Sequence, residues 1–322
     1  MNKFILKTFL FCIIITAFNG CGIINTYQEL KQDVKASMNF NKDYERNAIQ
    51  MKNQLSLYKQ NFTYDRIASL NFDQFDPSFG KTGLWLPMKF VEDIGGGIYF
   101  LNSFDINKIP IVLVHGAGGN PREWEKLITE LENDFQIIVV SYASGMRLAQ
   151  SSQVIYNGLS FLMKKYNFQY MPIIAHSMGG LVMKNMLSLM TNKELEVVQK
   201  FITISTPWGG DNLAKRSSSL DYTLPYWIDM KPNSLFLQEI NSIEIPSRIK
   251  HYLFFGYNGK ITLTAGTSND GVISLESQLK YQREYNAYKV LGYNETHTSI
   301  IRSTRVINDI HNILLMKNKT IN

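Results

Sequence analysis

From about residue 85 onward the chain repeats one pattern. A short apolar run rich in β-branched and aromatic residues is followed by a stretch with helical spacing. The runs read GIYFLNSF, IPIVLVHG, FQIIVVSYA, MPIIAHS, KFITIST, KHYLFFGY and AYKVLGY, and helices are predicted around 121–132, 149–166, 178–190 and 299–316. Short runs that stay apolar, rather than alternating with polar residues, suit strands buried on both faces. The alternation therefore predicts an α/β fold: a mostly parallel central sheet with helices on both faces. In such sheets ligands bind beyond the carboxyl ends of the strands. At 322 residues, 45% apolar and 19% charged, the chain can bury a core of that size.

Three segments depart from the pattern. Residues 21–84 read as an N-terminal helical extension and linker, with helix-prone sequence to about Lys59 and Asn, Asp, Pro and Gly punctuation suggesting loop over 60–84. Gly80-Lys81-Thr82 matches the end of a phosphate-binding loop, but that loop needs Gly where Phe75 stands, so the match is chance. Residues 211–248, inside the 85–322 domain, read as an insertion that forms a small cap or a long surface connection.

The first 20 residues place Lys3 and Lys7 before a short apolar run, Thr8 to Phe18. That run is shorter than the ~20 residues a membrane-spanning helix needs and suits a secretory signal. Cys12 would leave with it, so Cys21 would remain alone, with no intrachain disulfide. The segment AFNGC resembles a bacterial lipobox, which implies cleavage before a lipidated Cys21 and a membrane-anchored lipoprotein of the cell envelope. Gly22 after the cysteine favours the outer membrane by the usual sorting rule. A plain secreted protein is the alternative. The sequon Asn294-Glu295-Thr296 lies beside His297, where a glycan would crowd a site; this disfavours passage through an endoplasmic reticulum. The net charge is +6, with no dense basic cluster and interleaved aromatics, so no nucleic-acid partner is expected.

The residues that carry chemistry follow strand ends. In PIIAHSMGG, Ser177 stands between a strand and a helix. A serine hydroxyl needs a base to become a nucleophile. A tight turn presents its oxygen above the sheet only if its neighbours are small. Gly179 and Gly180 satisfy this, and Ala175 adds one methyl group where glycine is usual. A serine at that place could also be a helix cap. In VLVHGAGGNPREW a glycine-rich turn follows a strand, and the N–H groups of Ala117 and Met178 are the candidates to receive an oxyanion. A dinucleotide turn would need G-x-G-x-x-G, which this turn lacks.

Of the five histidines, His297 alone follows the last strand and precedes the last helix. His115 belongs to the glycine turn, His176 adjoins the serine, His251 heads a strand and His311 lies in the final helix. Asp270, with Gly271, makes a turn after YLFFGY and precedes His297 in chain order, which makes it the candidate orienting acid, although an Asp-Gly pair alone is usually only a turn; Glu276 and Glu295 are reserves and Asp211 a weaker one. No His, Cys, Asp and Glu cluster has metal-ligand spacing, and no cofactor is expected.

These stretches together resemble the α/β-hydrolase superfamily, in particular lipase-like members and esterases related to the GPI-anchor deacylase. VHGAGGNPREWEKLITEL resembles the oxyanion turn and first helix, and IIAHSMGGLV the nucleophile elbow. ISTPWGG resembles a Thr-Pro-x-x-Gly turn, with Trp208 unusual in it. WIDMKPNSLFLQEIN is similar to the segment after a lipase lid, and NDGVISLESQ and ETHTSII to the acid and histidine loops. The resemblance implies the α/β-hydrolase fold and a Ser177–Asp270–His297 triad with Ala117 and Met178 as oxyanion donors. It also implies hydrolysis of a carboxylic ester, in an acyl ester or lipid, through an acyl-enzyme. Acyl transfer, thioester hydrolysis or a non-catalytic binding role would use the same framework. Tyr222, Tyr226 and Trp227 in the insertion would cover an acyl pocket or simply pack the insertion down. Oligomeric state is left open.

Overall fold

A computed structural model describes residues 46–217, 224–260 and 268–316; Cys21, Cys12 and the signal-like segment lie outside them. The strands are β1 Thr63–Ala68, β2 Gly97–Leu101, β3 Ile109–Val114, β4 Phe135–Ser141, β5 Ile173–His176, β6 Lys200–Ile204, β7 Lys250–Gly256 and β8 Lys289–Tyr293. They form one eight-stranded sheet in the order β1-β2-β4-β3-β5-β6-β7-β8. Only β2 and β4 pair antiparallel; every other neighbouring pair is parallel. The order reverses direction at β3–β5, so the turns after these two strands lie side by side where a doubly wound sheet opens a crevice.

Both faces of the sheet are buried, as the unalternating runs require. Along β3, Val112 and Val114 point into one hydrophobic cluster, and Ile111 and Leu113 into the other. The first cluster holds helices α1 (Arg46–Asn61), α2 (Ser78–Trp85), α3 (Pro87–Asp93), α5 (Leu148–Lys165) and α6 (Met178–Leu189). The second holds α4 (Glu125–Leu131). The described part of the insertion carries three short helices, α8 (Asn212–Ser217), α9 (Pro225–Met230) and α10 (Leu235–Asn241), after the short α7 (Asn192–Val197). After β7 come α11 (Leu275–Gln278) and α12 (Lys280–Glu284), and after β8 the final α13 (Thr304–Leu315), which covers the same face as α4. Among the described residues no helix is long and apolar enough to cross a membrane.

The loop expected over 60–84 is corrected. Residues 63–68 form the outermost strand, paired parallel to β2, and 78–85 form a helix. The strand escaped sequence reading because its pattern is broken. Asp65 takes a positive φ of 64°, and the register shifts between Thr63 and Arg66. The segment before it is no free spacer either: Tyr58 of α1 is buried, and its hydroxyl accepts the Ala143 N–H at 2.8 Å.

The described part of the insertion packs down on the body. Asp229 of α9 binds Arg147 through Nη2 at 2.7 Å and Nε at 2.9 Å, and accepts the Leu148 N–H at 2.7 Å. A carboxylate at the first N–H of α5 also meets the positive end of that helix. Trp227 stands edge-on to Trp85 with centroids 6.2 Å apart. Tyr226 and Trp227 are both buried, and Tyr222 lies outside the described residues.

Candidate active site

Ser177 follows the last residue of β5 and stands at the N-cap of α6, with φ 52° and ψ −130°. That conformation is costly for an L-residue with a side chain, and such strain is held only where packing enforces it. The packing is visible in the glycines around it. A Cβ on Gly179 would lie 2.5 Å from the His115 carbonyl oxygen, and one on Gly180 2.0 Å from Thr206 Oγ1. One on Gly116 would reach 2.8 Å from the serine Cβ. Ala175, by contrast, sits in β5 as an ordinary, fully buried strand residue.

The structure brings Ser177, His297 and Asp270 together. His297 Nε2 lies 2.9 Å from Ser177 Oγ, and His297 Nδ1 lies 2.7 Å from Asp270 Oδ2. The second carboxylate oxygen accepts the N–H groups of Val272 (3.0 Å) and Ile273 (2.7 Å). The His297 N–H donates to the Asp270 carbonyl at 2.7 Å, so the acid and histidine loops are tied by backbone as well. Gly256, at the end of β7, permits this approach: its Cβ would lie 2.7 Å from the Glu295 carbonyl oxygen and 3.1 Å from the Asp270 Cβ. Ser177 is 8% and His297 5% exposed.

The protonation balance follows from these contacts. Burial alone would push His297 toward the neutral form. The Asp270 carboxylate beside it, with Asp211 and Glu123 as further negative charges, outweighs burial and raises its pKa. Burial pushes Asp270 up, but the His297 charge and hydrogen bond, with the two N–H donors, hold it below the ordinary range. Asp211 retains some surface yet is deep enough for burial to raise its pKa to about 6, against the Leu213 N–H it accepts and the His297 charge.

Ala117 lies in the turn after β3, and Met178 is the first residue of α6. Neither N–H has a backbone acceptor among the described residues, as expected for Met178 because the first N–H groups of a helix have no partner within it. Three contacts fix the turn. The Tyr142 hydroxyl donates to the His115 carbonyl at 2.9 Å. The Tyr142 ring stacks on His115 at 4.4 Å. Ser144 Oγ accepts the Gly118 N–H at 3.0 Å. His115 is thus a brace, and burial lowers its pKa despite nearby Glu123. Two further histidines lie elsewhere. His251 bonds Thr203 at 2.8 Å in the core, with its pKa lowered to about 3 by burial and Lys184. His311 pairs with exposed Asp134 at 2.9 Å.

Of the reserve acids, Glu295 accepts from Ser299 at 2.6 Å, and Glu276 lines a polar groove of about 410 Å³ with Ser277 and Lys280. Another groove, about 610 Å³ over the β1–β2 edge near Arg66 and Tyr99, is remote from Ser177. Sequence reading missed Glu123, Ser144 and the glycines of α2. Glu123 stood inside the quoted NPREW stretch but carried no periodicity to mark it.

No curated protein sequence matches the chain. Among solved structures it is similar to the mature form of the Bacillus licheniformis lipase BlEst2, at 18% identity and TM-score 0.52, over 67% of this chain and 95% of the other. It is also similar to a Listeria innocua gene product, at 17% identity and TM-score 0.51, over 66% and 96%. At these identities the likeness is one of fold, and that fold is the α/β-hydrolase fold. A sequence profile described as an alpha/beta hydrolase of unknown function (DUF915) matches residues 135–317, more than half of the chain, which therefore belongs to that family.

Proposed function

We propose that this hydrolase is a serine carboxylic ester hydrolase of lipase or esterase type. The observation that carries the reading is the unbroken chain of contacts from Ser177 Oγ through His297 to Asp270, at 2.9 and 2.7 Å. In this reading Ser177 Oγ attacks an ester carbonyl as His297 Nε2 takes its proton. Asp270 holds Nδ1–H and stabilises the imidazolium. The Ala117 and Met178 N–H groups receive the developing oxyanion; one such donor is worth about 3–4 kcal/mol. The alkoxide leaves with the proton from His297. Water activated by the same imidazole then releases the acid and frees Ser177.

The test is turnover of p-nitrophenyl acyl esters of graded chain length. Ser177→Ala should lower kcat by orders of magnitude and abolish labelling by a fluorophosphonate probe. Unchanged turnover would overturn the assignment, and the chain-length profile would separate lipase from esterase.

The membrane tether is part of the same proposal and rests on the sequence. Lipidated Cys21 would hold the enzyme at the bacterial envelope, where each buried CH₂ contributes about 0.8 kcal/mol. Metabolic labelling with a palmitate analogue should mark the protein and fail for Cys21→Ser. Equal labelling of the two would refute lipidation at Cys21.

A further inference from the structure

Ser177 is flanked by a second acid–imidazole pair that the triad does not use. His176, the last residue of β5, is buried, and its Nε2 lies 2.9 Å from the carbonyl oxygen of His297. A carbonyl only accepts, so Nε2 carries a hydrogen and donates it. The other ring nitrogen, Nδ1, faces Glu123 Oε1 at 3.4 Å. Both of these atoms are buried, and neither forms a hydrogen bond, with the other or with any other described group. The Glu123 side chain reaches them past Gly119, whose missing Cβ would lie 2.2 Å from Oε2. Trp124 stands edge-on to the His176 ring at 6.4 Å and closes the remaining side.

The chemistry of the contact is restrictive. With its hydrogen on Nε2, a neutral His176 would turn the Nδ1 lone pair on a carboxylate. Two acceptors buried face to face are unfavourable. The pairing is favourable when one proton lies between them, as imidazolium–carboxylate or as carboxylic acid–imidazole. In both forms the pair is neutral as a unit and the ring orientation is fixed.

We infer that Glu123 and His176 are positioning residues, sharing one proton and holding the backbone of the His297 loop at the nucleophile through the His176–His297 hydrogen bond. This inference rests on the proposed role of His297. The strand residue before the serine thereby ties the loop of the base to the strand of the nucleophile. The fourth residue after Gly119 reaches under the glycine turn to fix that strand residue. Small errors in such placement are expensive, because a shift of about 1 Å can cost about 100-fold in rate.

The experiment measures kcat and KM on p-nitrophenyl esters, with circular dichroism to select folded protein. Glu123→Gln can donate an amide hydrogen to Nδ1 and should stay near the parent. Glu123→Leu, of similar size, cannot, and its kcat should fall by about 10- to 100-fold with KM little changed. His176→Gln, which can still reach the carbonyl, should exceed His176→Phe in the same way; this pair serves as the test if Glu123→Leu does not fold. The Glu123→Leu/His176→Phe double variant should be no slower than the worse single variant, as for residues acting as one unit. Equal kcat for the Gln and apolar variants, or additive losses, would overturn the inference. Ser177→Ala separates the two claims. If it is inactive while the Glu123 and His176 variants are at parent level, only the positioning role fails. If it is fully active, the proposed function fails.

Discussion

Gly80 and Gly118 meet with no room for a side chain between them: a Cβ on Gly80 would lie 2.3 Å from the Gly118 carbonyl oxygen and 2.9 Å from that of Gly119. Helix α2 therefore rests directly on the turn that carries Ala117. Gly83 extends the contact, its carbonyl accepting the Gly145 N–H at 2.8 Å. A segment that reads as linker in the sequence supports the proposed oxyanion turn from behind.

Gly80→Ala should displace that turn. Overpacking of this kind costs about 1–3 kcal/mol of stability. The misplaced donors should lower kcat more than they raise KM. Steady-state kinetics together with a thermal melt check this; a variant with parental kcat would show that the turn tolerates the shift.

Asp270→Asn presents an amide to His297 Nδ1 and reverses the preferred tautomer. In triads of this geometry the same exchange lowers kcat by about 10⁴. The measurement is ester turnover at a fixed pH. A loss under tenfold would point to a different orienting acid.

The pH dependence follows from the charges around His297. The base must be neutral to act, so kcat/KM should fall as pH drops through its folded-state pKa. Asp270 and Asp211 raise that value, so the acid limb should lie above the ordinary histidine midpoint of about 6.5. Asp211, with its own pKa at about 6, is mostly ionised there and favours the imidazolium. Asp211→Asn removes that charge and should move the acid limb to lower pH. A limb that stays in place would show that Asp211 does not act on the base.

Asp229→Ala should loosen the insertion. It removes two hydrogen bonds, from Arg147 Nε and the Leu148 N–H, together with the ion-pair contact to Arg147 Nη2. Hydrogen bonds to charged groups are worth about 1.5–3 kcal/mol each when buried, and Arg147 is partly exposed, so a net loss of about 2–3 kcal/mol is expected. Chemical denaturation measures it. Protease cutting within 211–248 should accelerate in parallel.

The sheet from β2 to β8 was legible because each of its strands is an apolar run ended by a turn signal. The grouping of Ser177, Asp270 and His297 was legible because each follows a strand in chain order. The rest was written in a form that one sequence does not display. β1 is interrupted at Asp65, so neither alternation nor an apolar run marks it. Gly80 and Gly83 read as loop punctuation, yet they are glycines because other backbone passes over them. Glu123 matters through a residue 53 positions away, His176, and nothing in local spacing records that proximity. Trp227 meets Trp85 edge-on across the interface, a contact between residues 142 positions apart that local spacing does not record.

The interrupted outer strand has a consequence for crowding. A long flat edge offers free N–H and C=O groups to any neighbouring copy and invites sheet-to-sheet growth. Here the outermost strand is six residues long, its register slips after Thr63, and Asp65 turns away to meet Lys165 and the Tyr166 hydroxyl. A second copy approaching this edge would find no continuous ladder to extend. The irregularity that hid β1 in the sequence also makes this edge a poor template for another copy.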